Sequence, residues 1–300
     1  MGALASSPPS SSSLPHRSAR RRLDVRGRRS PLDVLARLGH GAHGVVYMLV
    51  GALAARVAFL HQGKIAGPRE AVSQGPALLA NGALATALIA VIALGLLAYA
   101  AWRLGQAWFD PEGDASKKHG TLLRVAHALT GVAYLGFAAW TAKLAIGRGG
   151  STGQQAPEWT ARALAAPFGV FVVVAAGLII IGLGVVAANK ARRATFLKEL
   201  DIASLKANQG KLVEGLGRAG YAARALVFGI IGAFLVVAAM QHDASQARGL
   251  GGALQALAAQ PWGQLLLAAT ALGLVAFGAF EIARAITRRI VTNQGRSSSA

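Results

Sequence analysis

The chain has 300 residues, of which 54% are hydrophobic and only 14% charged. A soluble domain carries about 25% charged residues, so the water-soluble globular class is excluded. The formal net charge is +19 and cysteine is absent, which excludes disulfides, thiolate nucleophiles and Cys-based zinc sites.

The first segment, 1–33, reads "MGALASSPPSSSSLPHRSARRRLDVRGRRSP" and on. It is too rich in Ser, Pro and Arg to bury a core and is expected to be a disordered basic tail. Six apolar segments follow, at about 39–60, 82–104, 124–146, 167–189, 219–240 and 262–286. A helix satisfies its own backbone hydrogen bonds in a bilayer, so each is expected to span as a helix. The first span has the Arg-rich approach and "ALAA" of a signal peptide. Its counterparts later in the chain lie where no signal peptide can be, so it is retained as a structural helix.

Between spans, "APEWTARALAAPFG" (156–169) and "LGGALQALAAQPWG" (250–263) place Ala and Leu at helical spacing before a Pro-aromatic-Gly turn. They read as short interfacial helices anchored by Trp159 and Trp262, with Pro167 and Pro261 in the first turn of the following span. The linker 196–215 mixes apolar and charged residues and reads as an amphipathic helix followed by a loop.

Most of the 31 Lys and Arg fall in the N-terminal tail through Arg37, in 103–124, in 190–218 and in 284–296. These stretches alternate with basic-poor loops, the positive-inside pattern of a plasma-membrane protein with both termini cytoplasmic. The expected partners are the bilayer and the anionic lipid headgroups of its cytoplasmic face, not nucleic acid.

The opening of span one, "LGHGAHGVVYMLVG", recurs as "VAHALTGVAYLGFA" and "AGYAARALVFGIIG". Arg37 aligns with Arg124 and Arg218, His40 with His127 and Tyr221, and His43 with Thr130 and Arg224. Tyr47 aligns with Tyr134 and Phe228. The even spans align through "LGLLAY", "IGLGVV" and "LGLVAF". The spacing gives three tandem helical hairpins: repeat 1 over 34–110, repeat 2 over 121–200 and repeat 3 over 212–291, with a flexible tail at 292–300. Same-sense repeats imply a pseudo-threefold axis along the membrane normal, in an all-α bundle of six transmembrane helices. Units that open with this foot and close with "LGLxAY" resemble the DUF1206 family of bacterial membrane proteins, over about 35–290. That family's function is not established, so the resemblance implies fold and location and supplies no catalytic residues.

"GHGAHG" and "GLGRAG" fit GxGxxG, but no strand precedes either, so the small residues are expected to serve helix packing. Gly44, Gly131, Gly51, Gly232, Gly95, Gly182 and Gly273 are the expected packing positions. His40, His43 and His127 are candidates for a metal or haem, set against an interfacial belt of imidazoles completed by Tyr221 and Arg224. The belt is preferred, because repeat 3 dispenses with both imidazoles, and no cofactor or metal is expected. Arg56 and Lys143 occupy equivalent outer positions and are expected to snorkel, with an anion-binding pair as the alternative. Arg224 and Glu281 are candidates for an ion pair within repeat 3; unpaired, each would need water or neighbouring backbone. HExxH, GxSxG and an acidic pair at span depth are all missing. The expectation is a non-enzymatic structural, accessory or lipid-interacting membrane protein. The alternative is a small-solute transporter or channel with a wet path past His43, Thr130 and Arg224.

Overall fold

The structure, a computed structural model, describes residues 31–61, 63–79, 82–109, 120–148, 155–200 and 207–287. The two tails therefore lie outside the described residues, apart from the start of the first helix. Six long helices carry the fold: α1 (Pro31–Leu60), α3 (Ala83–Phe109), α4 (Gly120–Ala145), α6 (Gly169–Arg193), α7 (Ala207–Met240) and α9 (Gly263–Thr287). All six are long and apolar enough to cross a membrane. Three short helices join them at one end: α2 (Pro68–Leu79), α5 (Gln155–Leu164) and α8 (Leu250–Ala258). The opposite end, where α1, α4 and α7 begin, is the foot.

The elements differ from expectation at several points. The 196–215 linker is not a separate amphipathic helix. A short 3-10 turn occupies Thr195–Glu199, and α7 runs unbroken from Ala207 through its span. The chain reverses at Ala194, at φ 48, and seats Phe196 where a Cβ on Gly217 would stand. α2 was not anticipated either. Its signals are Pro68 in the first position and Glu70 in the first turn, where the helix dipole favours an acid. α5 and α8 form where expected, and Trp159 and Trp262 are exposed. Pro167 and Pro261 precede the next helices instead of starting them. The turn between needs Gly169 and Gly263, whose added Cβ would strike the Ala163 and Ala258 carbonyls.

The long helices pack in the order α4, α3, α1, α9, α7, α6. The strongest contacts join one repeat to the next: α3 with α4, α6 with α7, and α9 with α1. The aligned arginines explain this. Arg124 Nε and Nη2 donate to the Ala107 and Trp108 carbonyls, at 2.7 and 3.0 Å. Arg218 Nη1 donates to Ala191 and Arg192, at 3.2 and 2.8 Å. Arg37 Nη1 donates to Ala285 and Ile286, at 3.3 and 2.8 Å. Each guanidinium thus binds the last described turn of the preceding repeat's second span, with repeat 3 preceding repeat 1. At Arg193, where α6 ends, those carbonyls lack intrahelical donors and carry the negative end of the helix dipole; the equivalent carbonyls of α3 and α9 lie in the last turn described. Arg124→Ala is expected to cost about 0.5–2 kcal/mol, by analogy with lost caps and dipole partners. Thermal unfolding in detergent checks it, and Arg124→Lys should recover only part, because a point charge cannot serve two carbonyls as a fork does.

Glycines let these joints close. A Cβ on Gly44 would lie 2.6 Å from the Gly278 carbonyl oxygen, and one on Gly51 would lie 2.7 Å from that of Ala271. Gly232 meets the Gly177 carbonyl at 2.6 Å, and Gly131 abuts Leu104.

Within repeats 1 and 3 the hairpins close on a shared seat. Gly39 lies over the Tyr99 backbone and Gly95 receives Ala42, while Gly220 lies over the Phe277 backbone and Gly273 receives Ala223. Repeat 2 lacks the seat: Ala126 replaces the first glycine and Leu129 replaces the alanine. No packed interface forms between α4 and α6. Gly182 therefore meets nothing, which corrects its assignment as a packing glycine, and Leu129 stands 63% exposed. The bundle is a pseudo-threefold ring with one of its six interfaces open.

Candidate functional site

Three repeat-equivalent positions bring His43, Arg224, Tyr47, Tyr134, Phe228, Tyr99 and Phe277 into one cluster on the axis, with Thr130 and Val186 at the same positions but outside its contacts. α1, α4 and α7 contribute His43, Thr130 and Arg224 and, one turn on, Tyr47, Tyr134 and Phe228. The even spans contribute Tyr99, Val186 and Phe277. The His43 ring stacks on Tyr99 at 4.8 Å and meets Tyr47, Tyr134 and Phe277 edge-on at 4.9, 5.4 and 6.0 Å. The Arg224 guanidinium lies over Phe277, Phe228 and Tyr47, at 4.6, 4.7 and 5.6 Å. On the side of repeat 2 the aromatic wall is missing: Val186 takes the place of Tyr99 and Phe277 and is 54% exposed.

Beside this aromatic set, toward the foot, lies a charge cluster. Glu281 is 2% exposed and is the only buried carboxylate among the described residues. His40 Nδ1 donates to Glu281 Oε2 at 2.6 Å. His43 Nδ1 lies 3.6 Å from the same oxygen, and Arg284 Nη1 donates to Oε1 at 3.4 Å. Arg103 donates to the Tyr99 hydroxyl at 2.7 and 3.0 Å and to Gln106 at 3.2 Å. One buried acid thus faces a surplus of cationic groups.

Several expectations change accordingly. His40, His43 and Tyr221 do not form an interfacial belt; they are 2%, 3% and 5% exposed. Tyr221 packs among Phe196, Phe277 and Phe280, with Lys190 over its ring. Arg224 and Glu281 do not pair: the carboxylate reaches across to α1 instead. His40 is held by Glu281, and His40 and His127 belong to no metal-type grouping among the described residues. No group of three metal-ligating side chains is arranged for a metal among the described residues. Thr130 turns its hydroxyl to its own helix, donating to the Ala126 carbonyl at 2.7 Å. Arg56 is half-buried and Lys143 exposed, with no hydrogen bond or ion pair between them. The sequence reading missed Tyr99, Tyr134, Phe277, Arg103 and Arg284 as site residues. The aromatic that closes "LGLLAY" and "LGLVAF" was the available signal for two of them.

Six spans built as three helix pairs, linked by repeated arginine contacts, define a multi-pass membrane protein with internal threefold repetition. The chain belongs to the DUF1206 family, a domain of unknown function, whose profile matches residues 38–110, 125–194 and 219–288. The uncharacterized protein YxxB of Bacillus subtilis (strain 168) is 35% identical over 254 residues, covering 83% of this chain and 89% of that protein. No solved structure matches.

Proposed function

We propose that the protein is a non-enzymatic, lipid-interacting membrane protein. The open interface between α4 and α6 carries this reading. The two helices that flank it leave Leu129, Val132, Leu135, Leu178, Ile179 and Leu183 exposed, an apolar surface suited to acyl chains. Transport finds less support, since four aromatic rings cover His43 where a path would have to pass. Lipid is expected to remain on the purified chain through detergent exchange, at about one per chain, when read by native mass spectrometry. A chain that sheds all lipid with unchanged thermal stability would overturn the reading.

The foot is placed on the cytoplasmic side in this reading, where Arg192, Arg193 and Arg218 would meet anionic headgroups. Single cysteines in this cysteine-free chain test the orientation. Labelling from outside is expected at Ser73 and Ser245, with none at Ser13 or Ser298. External labelling of Ser13 would reverse the assignment.

A further inference from the structure

We infer that the opening between α4 and α6 is a lateral binding site for a long-chain fatty acid. Its carboxylate is held by Arg224 with the Tyr47 and Tyr134 hydroxyls, and its alkyl chain leaves past Val186 and Leu129 into the bilayer. The inference rests on the lipid-interacting reading and specifies its site and ligand.

The first ground is an unmet demand for an anion. Arg224 faces the axis from α7, Nε is buried without an acceptor, and none of its nitrogens hydrogen-bonds or ion-pairs among the described residues. The faces of Tyr47, Phe228 and Phe277 stabilise its charge but take none of its five N–H donors. The other cations on the axis are engaged: Arg103 with Tyr99 and Gln106, Arg284 and His40 with Glu281. The Tyr47 and Tyr134 hydroxyls make no hydrogen bond among the described residues, and both rings border His43. A planar guanidinium over the Tyr47 ring, with the Tyr134 ring bordering the same His43, matches a carboxylate, which accepts two parallel N–H bonds and has lone pairs to spare for hydroxyl donors.

The second ground is access. In repeats 1 and 3, an alanine in a glycine seat and an aromatic at the end of the motif shut the corresponding approach. Repeat 2 has Leu129, an unfilled Gly182 and Val186 instead. The same three differences open the ring and thin its aromatic wall on one side.

The third ground is depth, which selects a fatty acid over a phospholipid. Arg224 is six residues along α7 from Arg218, the residue that caps α6 at the foot. At 1.5 Å per residue that is about 9 Å into the span. A phospholipid's bulky headgroup belongs at the level of the foot, whereas a bare carboxylate can follow its own chain inward. Inside the span the pair would be poorly screened, so the head group must be one whose full charge is met by a single guanidinium.

The experiment uses the full chain in detergent micelles with spin-labelled stearic acid as probe. Binding near one per chain is expected. Arg224→Gln should weaken it about thirty-fold or more, as when one partner of a buried hydrogen-bonded charge pair is removed. Val186→Trp fills the exposed place taken by Tyr99 and Phe277 in the other repeats. It should weaken binding at unchanged thermal stability, which separates loss of the site from loss of the fold. Stearic acid binding to Arg224→Gln and Val186→Trp as to the unaltered chain would overturn the site. Dodecyl phosphate displacing the probe at equal affinity would overturn the carboxylate assignment. Tightly held phospholipid indifferent to both substitutions would also defeat this site, yet leave the lipid-interacting reading standing. A chain that holds no lipid of any kind would remove both.

Discussion

Glu281→Ala is expected to destabilise the bundle by about 3–5 kcal/mol, the largest single effect in the chain outside its helix seams. The reason is not the lost hydrogen bonds themselves, which average about 0.6 kcal/mol inside membranes. Glu281 is the only buried carboxylate among the described residues, and His40, His43 and Arg284 all lie within 4 Å of it. Removing it takes from Arg284 its buried carboxylate partner and leaves a cavity beside Gly44. His40→Ala should cost less, because an imidazole can shed its charge and Glu281 keeps Arg284. Thermal unfolding in one detergent, with and without the second substitution, gives both values. A Glu281→Ala variant whose stability stays within about 1 kcal/mol of the unaltered protein would mean that Glu281 does not anchor the cluster.

Gly44→Leu should be the most damaging of the glycine substitutions relative to its nearest control. Its Cβ alone would stand 2.6 Å from the Gly278 carbonyl oxygen and 3.0 Å from Ile282. Neither the carbonyl nor the helix behind it can rotate aside, so α1 and α9 must separate. Overpacking of this kind costs about 1–3 kcal/mol, occasionally more. The site lies on the joint that closes repeat 3 onto repeat 1, so the loss falls on the whole ring. Gly182→Leu is the control. It is a glycine of the same alignment, but a Cβ there meets nothing, and the effect should stay within about 0.5 kcal/mol. Equal effects at the two positions, read as melting temperatures in detergent, would mean that small residues matter here through helix propensity and not through contact.

The six spans were legible because long uncharged stretches have one stable form in a bilayer. Their lengths came out within a few residues, apart from the early starts of α1 and α7. The repeat was legible too, and with it the register of Arg37, Arg124 and Arg218. What those arginines do was not. The carbonyls that Arg37 binds lie 248 and 249 residues away, on a helix brought near only by closing the ring. The partner of Glu281 was misread for the same reason: His40 is 241 residues distant, whereas Arg224 is closer in sequence and in the same repeat.

Which way the foot faces is a different kind of failure. In water an amphipathic helix shows its buried side by its apolar stripe. Here the lipid-facing and protein-facing sides are both apolar, so periodicity could not say whether His40, His43 and Tyr221 met lipid or the axis. Sequence alone determined that the chain spans the membrane six times, in three like units, with small and basic residues in register. Only the tertiary structure decided that the unlike unit leaves the ring open. Leu129 and Val186 are ordinary membrane residues when read along the chain. Their meaning lies in the seats that Ala42 and Ala223 fill elsewhere, and a side chain too large for a seat is a fact about two helices at once.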